Sequence, residues 1–140
     1  MMNVKTSSIS LETKGYGHII DLTENLARIL KKEGLSRGAA LVFVPGSTGA
    51  VTTIEYEPGL LKDLPEFFEK ILPSDKNYHH DLTWHDGNGY AHLRAALLGP
   101  DLWVPFEKGK LLLGTWQQVV LLDFDNRPRK RKIIVQLFGE

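Results

Sequence analysis

Leu102 to Phe138 reads LWVPFEKGKLLLGTWQQVVLLDFDNRPRKRKIIVQLF. Leu102–Phe106 and Lys110–Leu113 are predicted strands joined by a turn at Gly109. Gly114-Thr115-Trp116-Gln117 interrupts the apolar pattern, and Gln118–Asp123 resumes as a strand. The polar, proline-containing DNRPR marks a turn before a last strand, Lys132–Phe138. Strand follows strand with only short connections, which calls for antiparallel pairing.

Upstream, strands and helices are mixed. Asn3–Glu12 alternates as a strand with one wet face. Gly15–His18 reads as a turn, and Asp21 or Thr23 as the cap of a helix placing Leu22, Leu26, Ile29 and Leu30 inward. Gly34 closes that helix. Ala40–Val44 reads as a strand buried on both faces, and Val51–Tyr56 as another. Leu60–Leu72 is a second amphipathic helix, with Leu61, Leu64, Phe67, Phe68 and Ile71 inward and a start near Pro65. Ala91–Leu98 is a short helix closed by Gly99. The sum is an α+β domain over residues 1–140, a mainly antiparallel two-sheet sandwich or barrel-like core with flanking helices.

Composition narrows the function. A chain of 140 residues is long enough for one self-sufficient core. A formal net charge of zero argues against general nucleic-acid binding and against an anionic membrane surface. With no cysteine there is no disulfide framework, thiolate nucleophile or Cys-type zinc site. No apolar run is long enough for a membrane span, and the start, MMNVKTSSIS, lacks a signal-peptide core, so the expected location is cytoplasmic.

The chemistry concentrates in YHHDLTWHDGNGYAHL, Tyr78–Leu93, which holds four of the five histidines. His80 and His92 bracket a glycine-rich loop containing Asp86 and Asn88. Two imidazoles and a carboxylate suit a divalent ion, zinc or magnesium, or proton transfer. The competing reading is that these histidines merely cap loops, since no HExxH is present. His79 points away from His80 if the segment is extended, and His18 stands alone in a structural setting. Gly46-Ser47-Thr48-Gly49 is a loop able to turn amides and hydroxyls toward a phosphate. Thr115 and Gln117 are further polar candidates, and Glu55 or Glu57 can face a cleft. Five of the six residues in RPRKRK are cationic; Arg129 and Arg131 suit phosphate, while Lys130 and Lys132 suit a soluble edge strand.

Several of these segments together resemble one family. VPFEKGKLLLGTWQQ, the Tyr78–Asp81 motif, Ala91-His92-Leu93 and the closing Arg-x-Arg are similar to the YjbQ-type secondary thiamine-phosphate synthases. The resemblance implies a small cytosolic protein of two packed sheets with flanking helices, assembled as a homotrimer. It implies an activity joining a pyrimidine diphosphate to a thiazole phosphate, with His80 and His92 matching family histidines; Asp86, from the loop between them, joins them as a candidate. Ser47, Thr48, Asn88, Thr115, Gln117, Arg129 and Arg131 are then candidates to hold the phosphorylated substrate. A non-catalytic trimeric module binding a metal or a small phosphorylated ligand is the alternative. One departure stands out: many members carry a histidine at the head of an HT[ST]A motif where this chain has Gly46. On that reading the ion site lacks a third imidazole, a place that Glu55, His85 or water can take, or metal binding is lost; the alternative is that Gly46 marks a positive-φ turn that a histidine would strain.

Overall fold

The computed structural model describes residues 1–140. Eight strands form two antiparallel sheets. The first holds β1 (Asn3–Thr13), β8 (Arg129–Gly139), β3 (Gly38–Phe43), β5 (Asp101–Glu107) and β6 (Lys110–Leu111), in that order. The second holds β2 (His18–Asp21), β7 (Gln118–Asp123) and β4 (Gly49–Ile54). Four helices complete the chain: α1 (Thr23–Glu33), α2 (Pro58–Ile71), α3 (His79–Trp84) and α4 (Gly89–Leu98). None is long and apolar enough to cross a membrane.

β7 is the strand shared by two cores. Its period of two sends alternate side chains to opposite faces. Val119 and Leu121 point to the first core, with Val42, Val104, Val135 and Leu137 of the larger sheet, Leu22 just before α1, and Leu26 and Leu30 of α1. Val120 and Leu122 point to the second, with Ala50, Phe68 of α2 and Tyr90, Ala91 and Ala95 of α4. The apolar run VVLL is therefore continuous because both faces are covered.

α1 follows its periodicity, with Leu22, Leu26 and Leu30 no more than 1% exposed. Gly34 ends it in the left-handed region at φ +68, as glycine allows without strain. Neither expected residue occupies its N-cap, which is Leu22; Asp21 instead accepts from the Thr23 amide, and the Thr23 hydroxyl accepts from Val119 N.

Five expectations are corrected. The sequence pattern places His18 in a turn and gives Ile19 and Ile20 no element, yet His18–Asp21 is a strand whose Ile19 and Ile20 pair with Leu122 and Leu121 on β7. Only Ala40, Val42 and Val44 are buried in the third strand, and Phe43 on its other face is 39% exposed. α2 begins at Pro58, because Glu57 caps it through the Gly59 and Leu60 amides, and Pro65 lies within it. Only Phe68 of that helix is fully buried, whereas Phe67 and Ile71 face solvent. Finally, β8 begins at Arg129 and lies between β1 and β3, so RPRKRK is neither wholly turn nor sheet edge.

Candidate functional site

The histidine-rich segment folds as two short helices meeting at a tight corner. Asp81 staples their starts together: its Oδ2 accepts from Tyr78 N at 3.0 Å and its Oδ1 from Gly89 N at 2.9 Å. Those two amides hold the Asp81 carboxyl below the ordinary carboxylate range. Gly89 is required there, since a Cβ would lie 2.7 Å from the Tyr78 Cβ. The intervening loop is tied to the turn after β7. Asn126 Nδ2 donates to Asp86 O at 2.7 Å, and Asn88 Nδ2 donates to Asp125 Oδ1 at 3.2 Å.

This corner brings His80 on α3 against His92 on α4, with ring centroids 4.1 Å apart and planes tilted by 37°. His80 Nδ1 lies 3.8 Å from Asp86 Oδ1 and 3.9 Å from Asp81 Oδ1. Ligand atoms of His80, Asp81 and Asp86 all fall within 4.8 Å of one another. These separations are too long for hydrogen bonds. Two ligands about 2.1 Å from a shared tetrahedral ion stand about 3.4 Å apart, so the spacing suits an ion between them. His80 Nδ1 is buried without a hydrogen-bond partner, as is Asn88 Oδ1. An orphaned imidazole nitrogen facing two carboxylates is the donor set a divalent ion takes. His92 stacks on His80 and lies outside that trio. Burial, and then the neighbouring His80, push its pKa below the usual histidine value.

Beside His92 opens a cleft of about 360 Å³ lined by Gly46, Ser47, Gly49, Ala95, Ala96 and Pro100. Ser47 is exposed to it. Thr48 is not available in the same way. Its hydroxyl donates to Asp125 Oδ2 at 3.1 Å and accepts from Arg131 Nη2 at 2.8 Å.

The two arginines expected to meet phosphate are already engaged. Arg131, 5% exposed, donates from Nε and Nη2 to the fully buried Asp123 at 2.9 and 2.8 Å. Arg129 donates to Asp125, which is 2% exposed. Burial alone would push both carboxyls up. Hydrogen bonds from Arg131 and Thr13 outweigh it at Asp123, and those from Asn88, Asn126, Arg129 and Thr48 outweigh it at Asp125, so both sit below the ordinary range. The sequence signal for this network is an Asp-x-Asp closing an apolar strand, followed by Arg-x-Arg.

Thr115 and Gln117 lie far from the histidines. They precede β7, whose opposite end, Asp123, adjoins the site, roughly 20 Å away at about 3.3 Å per residue. Gln117 Nε2 donates to Thr53 Oγ1, and its Oε1 accepts from Gly114 N. Glu55 lies at that distant end too, just past the Ile54–Gln118 pair, and Glu57 caps α2. His85 is the left-handed C-cap of α3, and His79 is exposed on that helix. His18 Nδ1 accepts from Lys14 N, a structural contact.

Gly46 has φ +108, and a Cβ there would stand 3.0 Å from Arg131 Nη1. The glycine is thus explained by backbone conformation and by the guanidinium beneath it, not simply by loss of a ligand.

A small α+β domain with two antiparallel sheets and a histidine–carboxylate corner is the architecture these observations define. The chain belongs to the UPF0047 protein YjbQ-like family, whose model matches residues 7–140. It is 44% identical over 128 residues to a UPF0047 protein of Archaeoglobus fulgidus, covering 91% of this chain and 97% of the relative. It is 31% identical over 134 residues to the UPF0047 protein YugU of Bacillus subtilis, covering 94% and 98%. The crystal structure of a YbjQ-like protein of unknown function from Sulfolobus solfataricus superposes with a TM-score of 0.94 at 33% identity, over 100% of both chains.

Two outcomes are expected. His92 has a lower pKa folded than unfolded, so below its unfolded value of 6.5 the unfolded chain binds a proton that the folded chain resists. Stability therefore falls as pH drops below that value. Urea denaturation between neutral and mildly acid pH should show a shallower loss in His92→Gln than in the parent. Second, Gly46→His should cost about 1–3 kcal/mol through positive-φ strain, read as a thermal midpoint lowered by several degrees, without tighter zinc binding in a titration.

Proposed function

We propose that the chain is a transferase acting on a small phosphorylated heterocycle, joining a pyrimidine diphosphate to a thiazole phosphate. The observation that carries the reading is the His80–His92 pair, at 4.1 Å, beside Asp86 and next to a cleft. In such a reaction the bond from the pyrimidine methylene carbon to the diphosphate oxygen breaks, its electrons leaving with the oxygen. The thiazole nitrogen supplies the pair for the new C–N bond. His80 with Asp86 and Asp81, beside the adjoining His92, would hold a divalent ion, zinc or magnesium, which when bound neutralises charge on the departing diphosphate. Ser47 presents a hydroxyl to the phosphorylated end. The small side chains of Ala95 and Ala96 leave room for a flat ring against α4. His92, favoured neutral by burial, is available to accept a proton.

One observation favours the second reading, a module that binds an ion or phosphorylated ligand without turnover. Arg129 and Arg131 are committed to Asp125 and Asp123, which leaves neither as a ready clamp for diphosphate. The two readings separate by assaying the pyrimidine and thiazole precursors with and without EDTA. Product that disappears in EDTA and in His80→Ala supports the transferase; binding without product supports the module. In either case His80→Ala should weaken metal binding by at least ~10-fold while leaving the fold intact. Unchanged binding would remove the metal site.

We also propose a homotrimer. On the outer face of the larger sheet Trp103 is 54% exposed and its ring lies 5.4 Å from that of Phe138, with Phe43 and Val4 exposed nearby in the same sheet. An apolar sheet face of this kind suits subunit contact. Thr115, Trp116 and Gln117, remote from the histidines of their own chain, would reach a site only on a neighbouring copy. Light scattering should give three times 15.8 kDa; a monomer mass would exclude both statements.

A further inference from the structure

We infer that the cleft on the other side of α4 from His92 is a second binding site, for a single-ring aromatic carboxylate. Arg94 follows His92 by two positions, which turns it about 200° around the helix axis, away from the histidine corner. It lines a cleft of about 120 Å³ between α2 and the small sheet, walled by Leu64 and Phe68 on one side and Leu122 and Phe124 on the other. Tyr16, 69% exposed, also lines this space.

Arg94 is 5% exposed, and its guanidinium lies 4.9 Å from the Tyr90 ring and 5.8 Å from the Phe68 ring. Nε and Nη2 donate to Leu72 O at 3.1 and 2.8 Å, and Nη2 donates to Glu69 Oε1 at 2.9 Å. A guanidinium has five N–H donors, and both on Nη1 are left without a protein acceptor. Its one carboxylate partner, Glu69, has a side chain 49% exposed and gives its other oxygen to Ser74 N. The positive charge is therefore only partly answered within the cleft.

An apolar space lined by an arginine whose Nη1 has no protein acceptor selects a ligand with an apolar body and an anionic oxygen. Size limits the body: a cavity of roughly 150 Å³ holds benzene, so a cleft of about 120 Å³ takes at most one ring, seated part-way in the mouth beside the exposed Tyr16. Tyr16 offers a face for that ring to stack upon, and its backbone is fixed by donation from its amide to Asp125 O at 2.6 Å. The inference is independent of the chemistry proposed at His80 and His92.

The test is an NMR titration of the full chain with sodium benzoate, with benzyl alcohol as the neutral counterpart. Saturable shifts at Tyr16, Phe68 and Arg94 are expected, with benzyl alcohol at least ~5-fold weaker. Leu64→Trp fills the cleft and should abolish the shifts. Its spectrum also reports whether the fold survives, and Leu64→Phe serves if it does not. Glu69→Gln removes the competing carboxylate and should tighten benzoate several-fold. No saturation up to about 20 mM would mean the cleft holds water only and would overturn the assignment. Equal binding of the alcohol, or binding unaffected by either filling variant, would overturn it as well.

Discussion

Asp123 and Arg131 face each other with almost no contact with water, at 0% and 5% exposure. They are the outer of two nested ion pairs; Asp125 and Arg129 form the inner one. Together they close the corner where the chain leaves the small sheet and enters the large one. A buried pair of this kind adds little net stability over an apolar pair. Removing one partner leaves an uncompensated charge and costs about 3–5 kcal/mol. What the pair supplies is position. Thr13 at the end of β1 donates to Asp123, Thr48 bridges Arg131 and Asp125, and Asn88 donates to Asp125. Three separate segments thus take their places from one corner. The histidine site inherits its geometry from it, because Asn88 and Asp86 are both held by residues of the turn that the nested pairs close.

Much of the architecture was legible where a single rule governs. Helix α1 has a clean apolar stripe and a glycine stop, and β7 matches its expected bounds residue for residue. β2 was hidden because four residues between a glycine turn and a helix carry too little pattern to reveal pairing. Pro65 misled for a different reason: the strong cap at Glu57 and Pro58 starts the helix early, and the proline is accommodated within it. At the site, the proximity of two histidines could be suspected from the loop between them, since α3 and α4 need only fold back. The engagement of Arg129 and Arg131 could not, because their partners lie across a turn and between two sheets. A basic run in sequence looks free; here two of its members are consumed by carboxylates that the sequence pattern places at the end of a strand, Asp123, and at the start of a turn, Asp125.

α4 divides the molecule's accessible chemistry. One side carries His92 above small residues, and the other carries Arg94 among aromatic rings. Its body, Ala91 and Ala95, is packed into the second core. Small residues at those positions let the helix lie close to the sheet, so groups on either side are held on a rigid element rather than a loop.

The pairing of β1 with β8 has a consequence in time. These strands run side by side for eleven residues, from Asn3–Gly139 to Thr13–Arg129, although more than a hundred residues separate them along the chain. The larger sheet cannot be completed until that long loop closes, and loop closure must come before the ladder repays it. Folding should therefore be slow for a domain of this size. Until it finishes, β8 offers β3 one neighbour and leaves its other edge open, which is the moment at which the chain is most exposed to pairing with the wrong partner.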